Sequence, residues 1–116
     1  MKISKIYVDM DGVLCDFEKR YTERYGHISE DVRRTTFRAN FKDFIETGQF
    51  ATLEIMEDAR LLIDALDFYV MPKEILSSTA YEEVYESISM QKARWLATHN
   101  ISWKQNFVPG KRHKYK

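Results

Sequence analysis

Apolar and polar positions alternate along this chain with two different periods. Ile3, Ile6, Tyr7 and Val8 read as a short buried strand close to the N-terminus. Phe17, Tyr21 and Tyr25 then recur at i, i+4, i+8, which predicts a helix over 16–26, with Asp16 in the N-cap region and Gly26 as its stop. Ser29-Glu30-Asp31 opens a second predicted helix, 29–40, whose face carries Val32 and Phe37. Phe41, Phe44 and Ile45 predict a short third helix ending near Gly48, and Ala59, Leu62, Ile63 and Leu66 a fourth over 56–66. A second strand is read at 74–78, introduced by Met71-Pro72. The stripe Tyr81, Val84, Tyr85, Ile88, Trp95, Leu96 predicts an amphipathic helix over 81–99. A third strand at 105–108 is closed by Pro109-Gly110.

Strand, helices, strand, helix, strand is the order of an α/β fold with parallel strands and right-handed crossovers. In such folds ligands sit outside the carboxyl ends of the strands. The helical stretch of about 55 residues after the first strand therefore hangs over that end as a lid.

The 116 residues suit one domain, and an apolar share of 44% with 14% aromatics is enough for a core. Formal net charge is zero, so the total implies no general attraction to nucleic acid or membranes. The distribution is uneven. Residues 1–86 hold all 18 acids but 11 of the 18 Lys+Arg, a balance of −7; residues 87–116 carry the other 7 basic residues and no acid, +7. That basic end suits phosphate binding or pairing with the acidic part of the same chain. A single cysteine, Cys15, excludes an internal disulfide and fits a reducing compartment. With no Cys-His pattern, it reads as a small buried thiol. No signal peptide and no run of 18 apolar residues is visible, so a cytoplasmic protein without membrane contact is expected.

The candidate chemistry begins where the first strand ends. Asp9 and Asp11 fall on the same side of an extended chain. Adjacent carboxylates repel unless a cation sits between them, and Mg²⁺ is content with one or two carboxylates. Gly12 permits a tight turn. Ser77 and Ser78, at the carboxyl end of the second strand and before a helix, offer hydroxyls for an anion. Lys92 occupies a position on the last helix's stripe where an apolar residue is expected. Either it snorkels at the edge of the core, or it points at the phosphate site. Lys111 and Lys114 compete for that second role.

The run Asp9-Met10-Asp11-Gly12-Val13-Leu14-Cys15-Asp16-Phe17 after an apolar strand resembles motif I of the haloacid dehalogenase (HAD) superfamily. Its ending, Gly-Val-Leu-x-Asp-Phe, is similar to the 5′(3′)-deoxyribonucleotidase group. The resemblance implies a Rossmann-like parallel sheet, with a small helical cap inserted after the first strand. The core would comprise 1–15 and 70–116, and the cap with its return helix 16–69. It implies a Mg²⁺-dependent phosphatase acting on (deoxy)nucleoside monophosphates, with Asp9 as nucleophile, Asp11 as general acid/base and both as metal ligands. Ser77 takes the place of the hydroxyl that holds the phosphate, where the group carries Thr-Ser, and Ser78 that of a neighbouring contact. Lys92 with Trp95 matches the Lys-x-x-Trp of the corresponding helix. Phe17 takes the place of the ring that stacks on the base, and Phe50, in 48–53, that of an aromatic closing the base pocket.

One part of the pattern is missing. The superfamily adds one or two acids after a later strand, and this sequence has no acid after Glu86. A chain stopping short of that strand is the expectation, with its first strand left as an edge and a homodimer as one consequence. The partner expected is a nucleotide; the resemblance does not call for nucleic acid. The rival expectations are a non-catalytic phosphate-binding remnant and a phosphatase for another phosphomonoester, a sugar phosphate or a polynucleotide end.

Overall fold

Two parallel crossovers in one direction organise the chain. The computed structural model describes residues 5–26, 34–68, 71–79 and 82–109. Its elements are strand β1 (Ile6–Val8), helix α1 (Phe17–Tyr25), helix α2 (Arg34–Glu46), a 3₁₀ turn at Gln49–Thr52, helix α3 (Ala59–Phe68), strand β2 (Lys73–Ser78), a second 3₁₀ turn at Glu82–Val84, helix α4 (Tyr85–Thr98) and strand β3 (Lys104–Val108). The protein is thus mixed α/β, with a small parallel sheet in the order β1-β2-β3. Among the described residues no helix is long and apolar enough to cross a membrane.

Because both connections step the same way across the sheet, right-handed crossovers place the helices on one face. Burial agrees. Val8 and Ile75, paired in register, are 5% and 0% exposed. On the opposite face of β1, Tyr7 is 55% exposed. That opposite face is polar: Lys5 pairs with Glu74 at 2.7 Å, and Asn106 Nδ2 donates to the same carboxylate at 2.8 Å. Parallel sheets are usually covered on both sides; here, among the described residues, charge and hydrogen bonding stand where a second helical layer would lie.

Periodicity located the elements, and the structure corrects three of their bounds. The helices read separately at 29–40 and 41–48 are one helix, α2, with 29–33 outside the described residues. Phe37, Phe41 and Phe44 keep a single i, i+4, i+7 stripe through the junction. Asn40, which would compete for backbone bonds, instead donates to the Tyr21 hydroxyl at 3.1 Å. α3 begins at Ala59 rather than Met56, because the Ala59 amide closes a turn onto the Met56 carbonyl at 3.0 Å. α4 begins at Tyr85, after the turn at Glu82–Val84, while Tyr81 lies outside the described residues. Ile3 lies outside them too.

The core sits between the sheet and an aromatic layer. Phe17, Tyr21, Phe41, Phe44 and Phe50 pack as tilted, edge-on and stacked pairs with centroids 4.9–6.4 Å apart. α4 ties this layer to the sheet. Its Gln91 Nε2 donates to the Ile45 carbonyl at 2.9 Å, and its Oε1 accepts the Phe50 amide at 3.0 Å. Trp95, fully buried, donates its indole N–H to the Leu53 carbonyl at 2.7 Å. From the other side, Arg20 of α1 donates to the Gln49 side chain at 2.9 Å and the Thr52 carbonyl at 2.7 Å. The segment 49–53 is therefore held from two helices by side chains.

Trp95→Phe should keep an aromatic ring in the core but strand the buried Leu53 carbonyl. An unsatisfied buried acceptor costs about 1–3 kcal/mol, so the urea midpoint should fall by the corresponding amount at unchanged slope. An unchanged midpoint would show that this bond contributes nothing.

Candidate active site

β1 ends at Val8, and the chain turns at once. The Met10 carbonyl accepts the amides of Val13, Leu14 and Cys15 at 2.8–3.1 Å, and the Gly12 amide donates to the Cys15 carbonyl at 2.9 Å. Gly12 has φ 80°, a left-handed value that a side chain would strain. The turn is anchored to the return segment: the Asp16 amide donates to the Glu54 carbonyl and the Met56 amide to the Leu14 carbonyl, each at 2.8 Å. Met10 and Leu14 point into the core at 0% exposure, which leaves Asp11 outside. Asp9 Oδ1 accepts the Met10 amide at 2.8 Å.

Lys92 meets this loop from α4. Its Nζ lies 3.1 Å from Asp11 Oδ2, 2.7 Å from Ser77 Oγ and 2.8 Å from the Ser78 carbonyl. A lysine ammonium has three protons to donate, and here there are three oxygens to receive them. The Phe50 ring lies beneath, its centroid 5.4 Å from Nζ. The residue is 1% exposed, so its end is not in water and snorkelling does not explain it. Burial of a charge without partners is prohibitive, so this set of acceptors is what allows a lysine on an otherwise apolar stripe.

Asp11, Ser77, Ser78 and Lys92, named from the sequence, are thus one hydrogen-bonded cluster at the carboxyl ends of β1 and β2. Ser77 is 1% exposed. A phosphate reaches Lys92 only by displacing a bond the ammonium already makes. Lys111 and Lys114 lie outside the described residues.

Beside Asp11 opens a cleft of about 580 Å³, bordered by Gly12, Asp16, Phe17, Tyr21, Phe37 and Met56. Its size is that of a small-ligand site. Phe17 is part of its wall. Phe50 is not: it is 3% exposed and stacks behind Phe17, with centroids 5.6 Å apart and planes 13° from parallel. Its expected contact with a base is therefore replaced by support of Phe17, because the Gln91 bond and the aromatic layer draw it inward. Gln91 was not singled out by periodicity, since the backbone groups it holds at Ile45 and Phe50 lie more than forty residues away.

Cys15 is buried, and its thiol donates to Asp11 Oδ1 at 3.4 Å. Burial first, then the neighbouring Asp11 charge, push the thiol far above its ordinary value.

The oxygens of Asp9 and Asp11 are hard donors of the kind Mg²⁺ prefers. Among the described residues no group of three or more His, Cys, Asp or Glu could enclose a metal ion. One Asp11 oxygen is held by Lys92 and the other by the thiol. Asp9 and Asp11 are the residues that would hold a Mg²⁺, and among the described residues no group of acids encloses the position.

No protein family matches the chain, and no curated protein or solved structure matches it. The molecule is defined by its own features: a mixed α/β protein with a carboxylate–lysine–serine cluster at the carboxyl ends of its strands.

Cys15 should resist alkylation by iodoacetamide at about pH 8, where a free thiol is substantially ionised. Reaction should accelerate sharply in denaturant. Equal rates in native and denatured protein would show that the acid loop is open.

Proposed function

We propose that the protein is a Mg²⁺-dependent phosphomonoesterase of the HAD type that hydrolyses nucleoside monophosphates, with deoxyribonucleotides as the first substrates to try. The observation that supports this most is Lys92, bonded at once to Asp11 and Ser77, beside a cleft with an aromatic wall. The likeness of residues 9–17 to the HAD nucleophile motif supplies the roles.

In this reading the phosphate lies over Asp9 and the base against Phe17. An Asp9 oxygen attacks phosphorus; the new O–P bond forms as the bond to the ribose oxygen breaks. Asp11 gives the leaving oxygen its proton. Water then attacks the aspartyl-phosphate, Asp11 takes its proton, and inorganic phosphate leaves with Asp9 restored. Lys92 and Cys15 hold the two Asp11 oxygens and so fix the direction in which that carboxyl points. Bound Mg²⁺ would offset the negative charge shared by Asp9 and the phosphate.

A second reading is a phosphate-binding module without turnover. It is favoured by the lack of a third acid beside the pair among the described residues.

Asp9→Asn separates the two. An amide cannot form the acyl phosphate, so Mg²⁺-dependent phosphate release from deoxynucleoside monophosphates should fall by about 10³-fold or more while circular dichroism stays unchanged. Near-normal turnover in the variant would remove Asp9 as nucleophile. Absence of turnover in the wild type, with Mg²⁺-dependent binding of beryllium fluoride retained, would favour the binding module.

Lys92→Met keeps length and apolar bulk but removes the donors. Beryllium fluoride should bind this variant more weakly in calorimetry, with α4 still formed. Equal affinity would pass the phosphate-balancing role to Lys111 or Lys114.

A further inference from the structure

α1 turns two adjacent rows of side chains toward the cleft beside Asp11. Phe17 and Tyr21 stand one helical turn apart, with ring centroids 5.7 Å apart and planes 36° from parallel. Glu18 and Thr22 form the neighbouring row, also one turn apart and also on the border of the cleft. The first row offers a face on which a planar ring can stack. The second row meets the edge of that ring, and its chemistry is one-sided. Among the described residues the cleft is bordered by three carboxylates, Asp11, Asp16 and Glu18, and by no lysine, arginine or histidine. A carboxylate only accepts hydrogen bonds. Two of the three are committed: Asp11 to Lys92 and Cys15, and Asp16 to the Lys19 amide, which its Oδ1 accepts at 3.1 Å as the cap of α1. Glu18, exposed on the first turn of the helix, is the carboxylate placed to meet a ligand's edge.

We propose that Glu18 selects the base, and that the cleft takes guanine in preference to thymine or uracil. This rests on the nucleotide reading above, which sets the phosphate at the acid loop and the base against Phe17. The edge of the base then turns to the row of Glu18 and Thr22. Guanine presents two adjacent donors there, a ring N–H and an amino group, and one carboxylate can receive both, as it receives the fork of an arginine. Its carbonyl, next along the same edge, meets the Thr22 hydroxyl, which can donate. Thymine and uracil present a single N–H between two carbonyls, so a carbonyl oxygen is brought against the carboxylate and offsets the one bond gained. Adenine and cytosine fall between, with one amino group and an acceptor nitrogen beside it.

The values of kcat/KM for dGMP and dTMP should be compared in the wild type and in Glu18→Gln. The wild type should favour dGMP by about tenfold, the worth of one charge-assisted hydrogen bond at an exposed site. An amide both donates and accepts, so Glu18→Gln should bring the ratio close to one, by loss with dGMP and gain with dTMP. A general disturbance of α1 would scale both substrates alike and leave the ratio where it was. Deoxyguanosine and thymidine, which carry no phosphate, report the base site without hydrolysis when titrated into both proteins by NMR. Should no nucleotide turn over while deoxyguanosine still binds more tightly and Glu18→Gln removes the difference, the hydrolytic reading fails and the base preference stands. Equal binding of the two nucleosides by the wild type, a preference for thymidine, or a preference unmoved by Glu18→Gln would overturn the proposal whatever the turnover.

Discussion

Lys92 Nζ joins three parts of the chain that nothing else brings to one point. Through it α4 touches the acid loop after β1 and the end of β2. The physical constraint is severe, because a lysine 1% exposed must have oxygens on all sides its protons face. Those oxygens exist only when α4 lies at one depth and one rotation against the sheet. The neighbouring apolar residues of the stripe, Ile88, Trp95 and Leu96, are buried in the same arrangement. Hydrophobic burial thus brings the helix to the sheet, and the lysine's acceptors select its register there.

The same helix positions the aromatic layer. Gln91 and Trp95 bond to backbone groups at 45, 50 and 53, so the segment that follows α2 is held against α4 by polar bonds as well as by ring packing. Phe50 is thereby buried under Phe17, and Phe17 becomes the ring presented to the cleft. Chemistry and recognition in the proposed reaction would therefore share one support. A change in the packing of α4 would disturb the Asp11 carboxyl and the aromatic wall together.

The sheet has a second consequence for behaviour. With its crossovers on one side, it shows a polar face of Lys5, Glu74 and Asn106 to the other, and a strand of three residues at its edge. The ion pair with Lys5 satisfies Glu74 on that face.

Much of this was legible in the sequence. The apolar run at 6–8, the aromatic spacing of 17, 21 and 25 and the stripe of the last helix are local patterns, each visible within a few residues. The two acids and the glycine after the first strand, and a lysine breaking an apolar stripe, likewise identify themselves by where they stand. The continuity of α2 and the inward placement of Phe50 were not legible in the same way. Asn40 stays helical because Tyr21 receives its amide, and Phe50 turns inward because Gln91 accepts its N–H. The choice between a snorkelling and an inward Lys92 was open for the same reason. Its carboxylate partner lies 81 residues away, and only the folding of the sheet against α4 brings the two within 3.1 Å. Periodicity reports which face of an element avoids water, whereas the partner a polar group finds on that face is a property of the assembled tertiary structure.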